Sequence, residues 1–191
     1  MVTEVEEAIV AHLVRQPGVR SASRPGPSGW VASTGGQGGP GADPDSIAFQ
    51  KTRQLPTCQM HQVAFTNFRE IPVELVIRTC LEPDGTWIVS PTGGGSPGPS
   101  RRQEPWVNFT AGFGAEGFSA GGNVEGNGAE QAKLVRMTFA DGFVLVDTVD
   151  NGIVLFFEPR GMAFPADVEI LDAKGSMLAS YREFDQVPFV A

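Results

Sequence analysis

From residue 134 to residue 181 the chain repeatedly alternates hydrophobic and polar side chains, and dipeptides that favour a reversal of the backbone interrupt the alternation. Val135, Met137 and Phe139 alternate with Leu134, Arg136 and Thr138, and Asp141-Gly142 then turns the chain into residues 143–149. Asn151-Gly152 turns it again into residues 153–157. A period of two is that of a strand with one buried face, and Asp-Gly and Asn-Gly tolerate the positive φ angles of tight hairpins. These three segments therefore read as a meander. Residues 167–171 and 176–181 flank Asp172-Ala173-Lys174-Gly175, which reads as a type I turn closed by a bulge glycine.

The same chemistry appears earlier. Residues 46–53 and 58–67 read as two strands, and Ile71, Val73, Leu75 and Ile77 form the apolar face of a third. Pro72 belongs near the start or on the edge of that strand, because proline cannot donate to a ladder. Glu82-Pro83-Asp84-Gly85-Thr86 is a turn that returns the chain antiparallel through residues 86–90. Residues 91–104, rich in Gly, Pro and Ser, read as a flexible loop inside the domain, and Pro105-Trp106-Val107-Asn108-Phe109 resumes strand chemistry. The glycine-rich run after Gly112 reads as a broken strand or long loop.

Only the N-terminus has helical spacing. Thr3 and Glu6 form a capping box, and Val5, Ala8, Ile9, Leu13 and Val14 follow at helical intervals until Pro17-Gly18. The expected organisation is a helix within residues 1–18, a flexible Gly/Pro-rich linker over 19–45, and one domain over 46–191. Its fold class is all-β, an antiparallel sandwich of immunoglobulin-like type.

The segment VRMTFADGFVLVDTVDNGIVLFFEP (135–159), followed by ADVEILDAKGSMLAS (166–180), resembles the small Ig-like or fibronectin-type β-sandwich modules of uncharacterised actinobacterial proteins. The resemblance spans about residues 134–180 and rests on the order of the three hairpin turns. It implies a fold and no activity.

Charge narrows the partners. A net charge of −8 argues against neutralising phosphates, so nucleic acid is not an expected partner. No stretch approaches the ~20 apolar residues of a membrane helix. Glu4, Glu6 and Glu7 stand where a secretory signal carries basic residues, so the chain reads as cytoplasmic as written, and as envelope or extracellular if its start is truncated. The two cysteines, Cys58 and Cys80, fit neither a zinc knuckle nor a C-x-x-C pair; they are either one bridge between neighbouring strands or two half-buried thiols.

Candidate chemistry is sparse. Gly112, Gly114 and Gly117 match G-x-G-x-x-G, but the residues that follow cannot make the helix a dinucleotide needs, so no cofactor is expected. Asp141, Asp147, Asp150, Asn151 and Asp172 gather near turns, where such residues ordinarily shape the backbone. Glu74, Glu104, Glu116, Glu125 and Asp147 offer carboxylates without singling out a glycosidase pair. His12 and His61 have no serine or cysteine at a motif spacing. Trp87, Trp106, Phe109, Phe113 and Phe118 would bind a sugar or grip a partner if they met on one exposed face, whereas their ordinary place is the core. The expectation is a non-catalytic accessory module acting through protein contacts, with a carbohydrate-binding module as the alternative and a small hydrolase third.

Overall fold

The computed structural model describes residues 3–14, 32–33, 41–95, 103–114 and 117–184. Among the described residues it has one α-helix and two single-turn 3-10 segments beside its β-strands, and the fold is all-β. Two compact units divide the chain, Met1–Pro97 and Gly98–Ala191. This differs from the single domain expected over 46–191, because the strands before residue 97 form a sheet of their own that the N-terminal helix covers.

In the N-terminal unit, α1 (Glu4–Leu13) begins at Thr3, whose hydroxyl accepts the Glu6 N–H while the Glu6 carboxylate accepts the Thr3 N–H at 2.7 Å. These bonds satisfy two of the donors a helix end leaves open. The face of Val5, Ala8, Ile9 and Leu13 is buried against Val63, Phe65, Ile77 and Val89. A helix this short is marginal alone in water, so docking is what holds it.

The sheet under α1 has the order β1-β5-β4-β3-β2, with β1 Ala32–Ser33, β2 Ala48–Gln54, β3 Cys58–Thr66, β4 Pro72–Leu81 and β5 Trp87–Gly95. All neighbours are antiparallel except β1 and β5. The described part of the expected linker is therefore structured: Ala32 pairs with Trp87, and Ala42 is buried, with its N–H bonded to the Leu13 carbonyl at the end of α1. Likewise the expected loop starts later than residue 91, because Gly93, Gly94 and Gly95 pair with Val76, Leu75 and Glu74. The rest of that loop, 96–102, lies outside the described residues. Both faces of β4 are buried at its centre, including Arg78, which alternation alone placed on the polar side.

The C-terminal unit is a sandwich of two sheets. One has the order β10-β7-β6, with β6 Trp106–Gly114, β7 Gly117–Glu125 and β10 Ile153–Glu158. The other has the order β12-β11-β8-β9, with β8 Leu134–Phe139, β9 Val144–Thr148, β11 Ala166–Leu171 and β12 Met177–Glu183. Val107, Phe118, Ala120, Val154 and Phe156 from the first sheet share a core with Val135, Met137, Phe139, Val168 and Ile170 from the second.

The expected meander is corrected at its third strand. β8 and β9 form a hairpin, but β10 pairs with β7 in the opposite sheet. The Asn151-Gly152 turn carries the chain across, and the Asp147 carboxylate takes the Leu155 N–H at 2.7 Å in place of a ladder partner.

The glycine-rich run is β7, a full strand at the centre of its sheet. Its glycines are required by close approach: a β-carbon at Gly122 would overlap the Asn108 carbonyl of β6, and one at Gly117, where φ is +102°, would strike the Glu158 carbonyl. Gly122→Ala is expected to force β6 from β7 and to cost about 1–3 kcal/mol, measured by chemical denaturation.

Candidate functional site

The concave site in the C-terminal unit follows from how the sandwich ends. β6 is an edge of one sheet and β12 an edge of the other. Across the gap the Tyr181 hydroxyl accepts the Val107 N–H at 2.8 Å, tying the edges together. Beside this tie lies an open groove of about 520 Å³ lined by Gln103, Glu104, Pro105 and Trp106 on one side and Ala179, Ser180 and Tyr181 on the other. The Trp106 and Tyr181 rings lie 6.4 Å apart, tilted by 45°. Glu104 and Ser180 are exposed, so the groove combines aromatic surface with accessible polar groups.

The five aromatic candidates do not gather there. Trp106 lines the groove, whereas Phe118 is only 2% exposed and its ring meets those of Phe139, Phe164 and Phe184 at 5.5–5.9 Å. Phe109 packs on Phe156 and Phe184, and Trp87 packs against the core under α1. The Phe113 side chain lies outside the described residues. Tyr181, which completes the groove, was missed because it stands at the end of an alternating run and carries no motif. Only the approach of β6 and β12, edges of the two different sheets, brings it to Trp106.

The remaining candidates separate. Gly112 and Gly114 lie on β6 and Gly117 opens β7, so the glycines of the G-x-G-x-x-G run stand on two paired antiparallel strands. Among the described residues no cluster of three or more His, Cys, Asp or Glu side chains is arranged to hold a metal. Asp141 and Asp172 spend a carboxylate oxygen on the turn N–H groups of Phe143, and of Lys174 and Ser176. Glu104 is the carboxylate in the groove, Glu74 belongs to the other unit's β4, Asp147 is committed to the Leu155 N–H, and Glu116 lies outside the described residues.

His61 is 1% exposed on the α1 face of β3, with Nδ1 3.0 Å from the Thr52 hydroxyl and the ring edge-on to Phe49. Burial pushes its pKa down to about 4, against a smaller opposing pull from Glu6. The folded state thus holds a neutral imidazole while the unfolded chain takes up a proton at about pH 6.5. The stability this contributes is whole above pH 6.5 and is lost as pH falls towards 4. By pH 5 the expected loss is about 2 kcal/mol, and His61→Leu should flatten the stability profile between pH 6.5 and 5 in denaturant titrations.

Cys58 and Cys80 occupy paired positions on β3 and β4 and are joined in a disulfide with Cα atoms 4.0 Å apart.

No protein-family model, curated protein or solved structure matches the chain. The groove and the placement of the titratable groups are therefore what a functional reading must use. Among the described residues no helix is long and apolar enough to cross a membrane.

Proposed function

We propose that the chain is a non-catalytic accessory module of Ig-like type that works by protein contacts, with its contact site in the C-terminal unit. The observation that carries this reading is the groove between the two sheet edges, where Trp106 and Tyr181 stand beside accessible Glu104 and Ser180. Edge strands and half-exposed aromatic rings are the materials of a binding surface. Glu104, the one carboxylate among the groove's described residues, the bridged cysteines and the buried His61 give no support to a hydrolase. The disulfide favours an oxidising compartment over the cytoplasm.

The test compares the full chain with its Trp106→Ala variant as immobilised bait for polypeptides of the source cell, alongside a panel of ester, glycoside and peptide substrates. The reading expects retention that the variant loses and no turnover by either. Turnover by the parent chain would contradict it. A second reading, carbohydrate binding, is favoured by the company Trp106 and Tyr181 keep with Gln103, Glu104 and Ser180, since sugars are held by ring stacking plus side-chain hydrogen bonds. Glycan binding abolished by Trp106→Ala would select it.

A further inference from the structure

His61 is a polar ring set into an apolar contact. It stands on β3 two positions before Val63, which packs with Phe65, Ile77 and Val89 against the Val5, Ala8, Ile9 and Leu13 face of α1. The Phe49 ring, edge-on to the imidazole, packs against the same cluster. Nδ1 is matched by the Thr52 hydroxyl at 3.0 Å, whereas Nε2 is buried with no hydrogen-bond partner among the described residues. The Thr79 hydroxyl, on the same face of β4, is also buried and makes no bond to it. A neutral imidazole leaves one unmatched polar atom in this spot; an imidazolium would set an N–H and a charge there with no acceptor. Proton uptake by His61 therefore requires that the contact open and water reach the ring.

The helix is the side of this contact that yields at least cost. α1 is ten residues long, marginal alone in water, and held by the burial of one apolar face with the Ala42 N–H on the Leu13 carbonyl at its end. The sheet beneath is held by the ladders of β3 to β2 and to β4, and the Cys58–Cys80 bridge ties β3 to β4 close to His61 and its paired residue Ile77. From this arrangement we propose that α1 is an acid-released cover: proton uptake by His61 lifts the helix from the sheet, which stays folded, and uncovers the apolar face of Val63, Phe65, Ile77 and Val89. Among the described residues the charge that acts on the ring from α1 is Glu6, which attracts its protonated form and opposes release. From β2 and β4 the side chains on its face are Phe49, Thr52, Ile77 and Thr79, none of them charged. Lys51, Arg53, Glu74 and Arg78 stand in register with Gln62, Met60 and Ala64 of the opposite face. Burial outweighs the pull of Glu6 and holds the pKa at about 4 while the helix is docked, against an ordinary value of 6.5 once water reaches the ring. Docking is therefore at full strength above pH 6.5 and weakens as pH falls towards 4.

The experiment measures amide hydrogen exchange of the full chain at pH 7 and pH 5, with rates corrected for the intrinsic dependence of exchange on pH. At both values the amides of α1 should be at least roughly tenfold less protected than those of β3 and β4, the mark of an opening that leaves the sheet folded. Between pH 7 and pH 5 the protection of α1 should fall about twentyfold, the ratio set by a pKa that moves from about 4 to 6.5 on release. His61→Leu should hold the protection of α1 level across that range. So should His61→Gln, which keeps a neutral group able to bond Thr52 and guards against a leucine that disturbs the strand. His12, on the docked face of α1, is the other histidine of the chain, and His12→Gln should leave the fall intact. An α1 as well protected as β3 and β4 would overturn the proposal, because the helix would then leave only when the whole unit unfolds. A fall that is absent from the parent chain, that persists in both His61 variants, or that disappears in His12→Gln would overturn it as well.

Discussion

Phe118→Ala is expected to lower the stability of the C-terminal unit by about 3–5 kcal/mol, the cost of emptying a fully buried aromatic site. The ring sits at the hub of Phe139, Phe164 and Phe184, all within 6 Å by centroid, and so the cavity would face aromatic walls that cannot collapse into it without breaking their own contacts. Chemical denaturation followed by near-ultraviolet dichroism measures the loss. The same substitution separates two roles for a residue that sequence places beside Trp106 as an aromatic candidate. A surface platform residue would lose ligand and keep the fold; Phe118 should do the reverse. Trp106→Ala, at a half-buried groove position, should destabilise far less and affect binding instead.

Removing the Cys58–Cys80 bridge should cost the N-terminal unit about 3 kcal/mol, the chain entropy released when a closed loop of this length is opened in the unfolded state. The two residues are 22 positions apart, and the bridge joins β3 to β4 where nine residue pairs already align them. Its effect is therefore on the unfolded chain more than on the folded contacts. Urea titration of Cys58→Ser/Cys80→Ser should show an earlier midpoint than the parent chain, and reductant should move the parent to the variant's curve without moving the variant. A parent chain indifferent to reductant would show that the thiols are free in solution.

The parts of the fold legible from sequence are those where the signal is local. The capping box of Thr3 and Glu6, the alternation of β8, and the Asp-Gly, Asn-Gly and Lys-Gly turns each state their structure within a few residues. What stayed hidden depends on distant neighbours. β7 has too many glycines to alternate, because Gly122 must let the Asn108 backbone come close, and nothing near it in sequence records that need. β10 looks like the next strand of a meander until Asp147, eight residues before Leu155, takes the N–H that β9 would otherwise bond. The division at Pro97 was invisible for a related reason: a sheet covered by α1 and a sandwich closed on itself use the same strand chemistry.

The site was half legible. Trp106 could be named because a large aromatic in a loop-rich region invites the question, but Phe109 and Phe118 raise it equally and belong to the core. Tyr181 and Ser180 carry no sequence signal, since a hydroxyl at the end of a strand is ordinary. Their importance comes from the topology that leaves β12 and β6 as facing edges.

Hydrogen exchange on the full chain, with and without a polypeptide that it retains and Trp106→Ala does not, tests the central claim most directly, because a partner seated in the groove suppresses local opening of the segments that border it. With that partner bound, slowed exchange should appear in β12 around Ala179, Ser180 and Tyr181 and in the residues leading into β6. Protection confined to the N-terminal unit, or none beside the groove at saturating partner, would contradict a module that binds through its C-terminal unit.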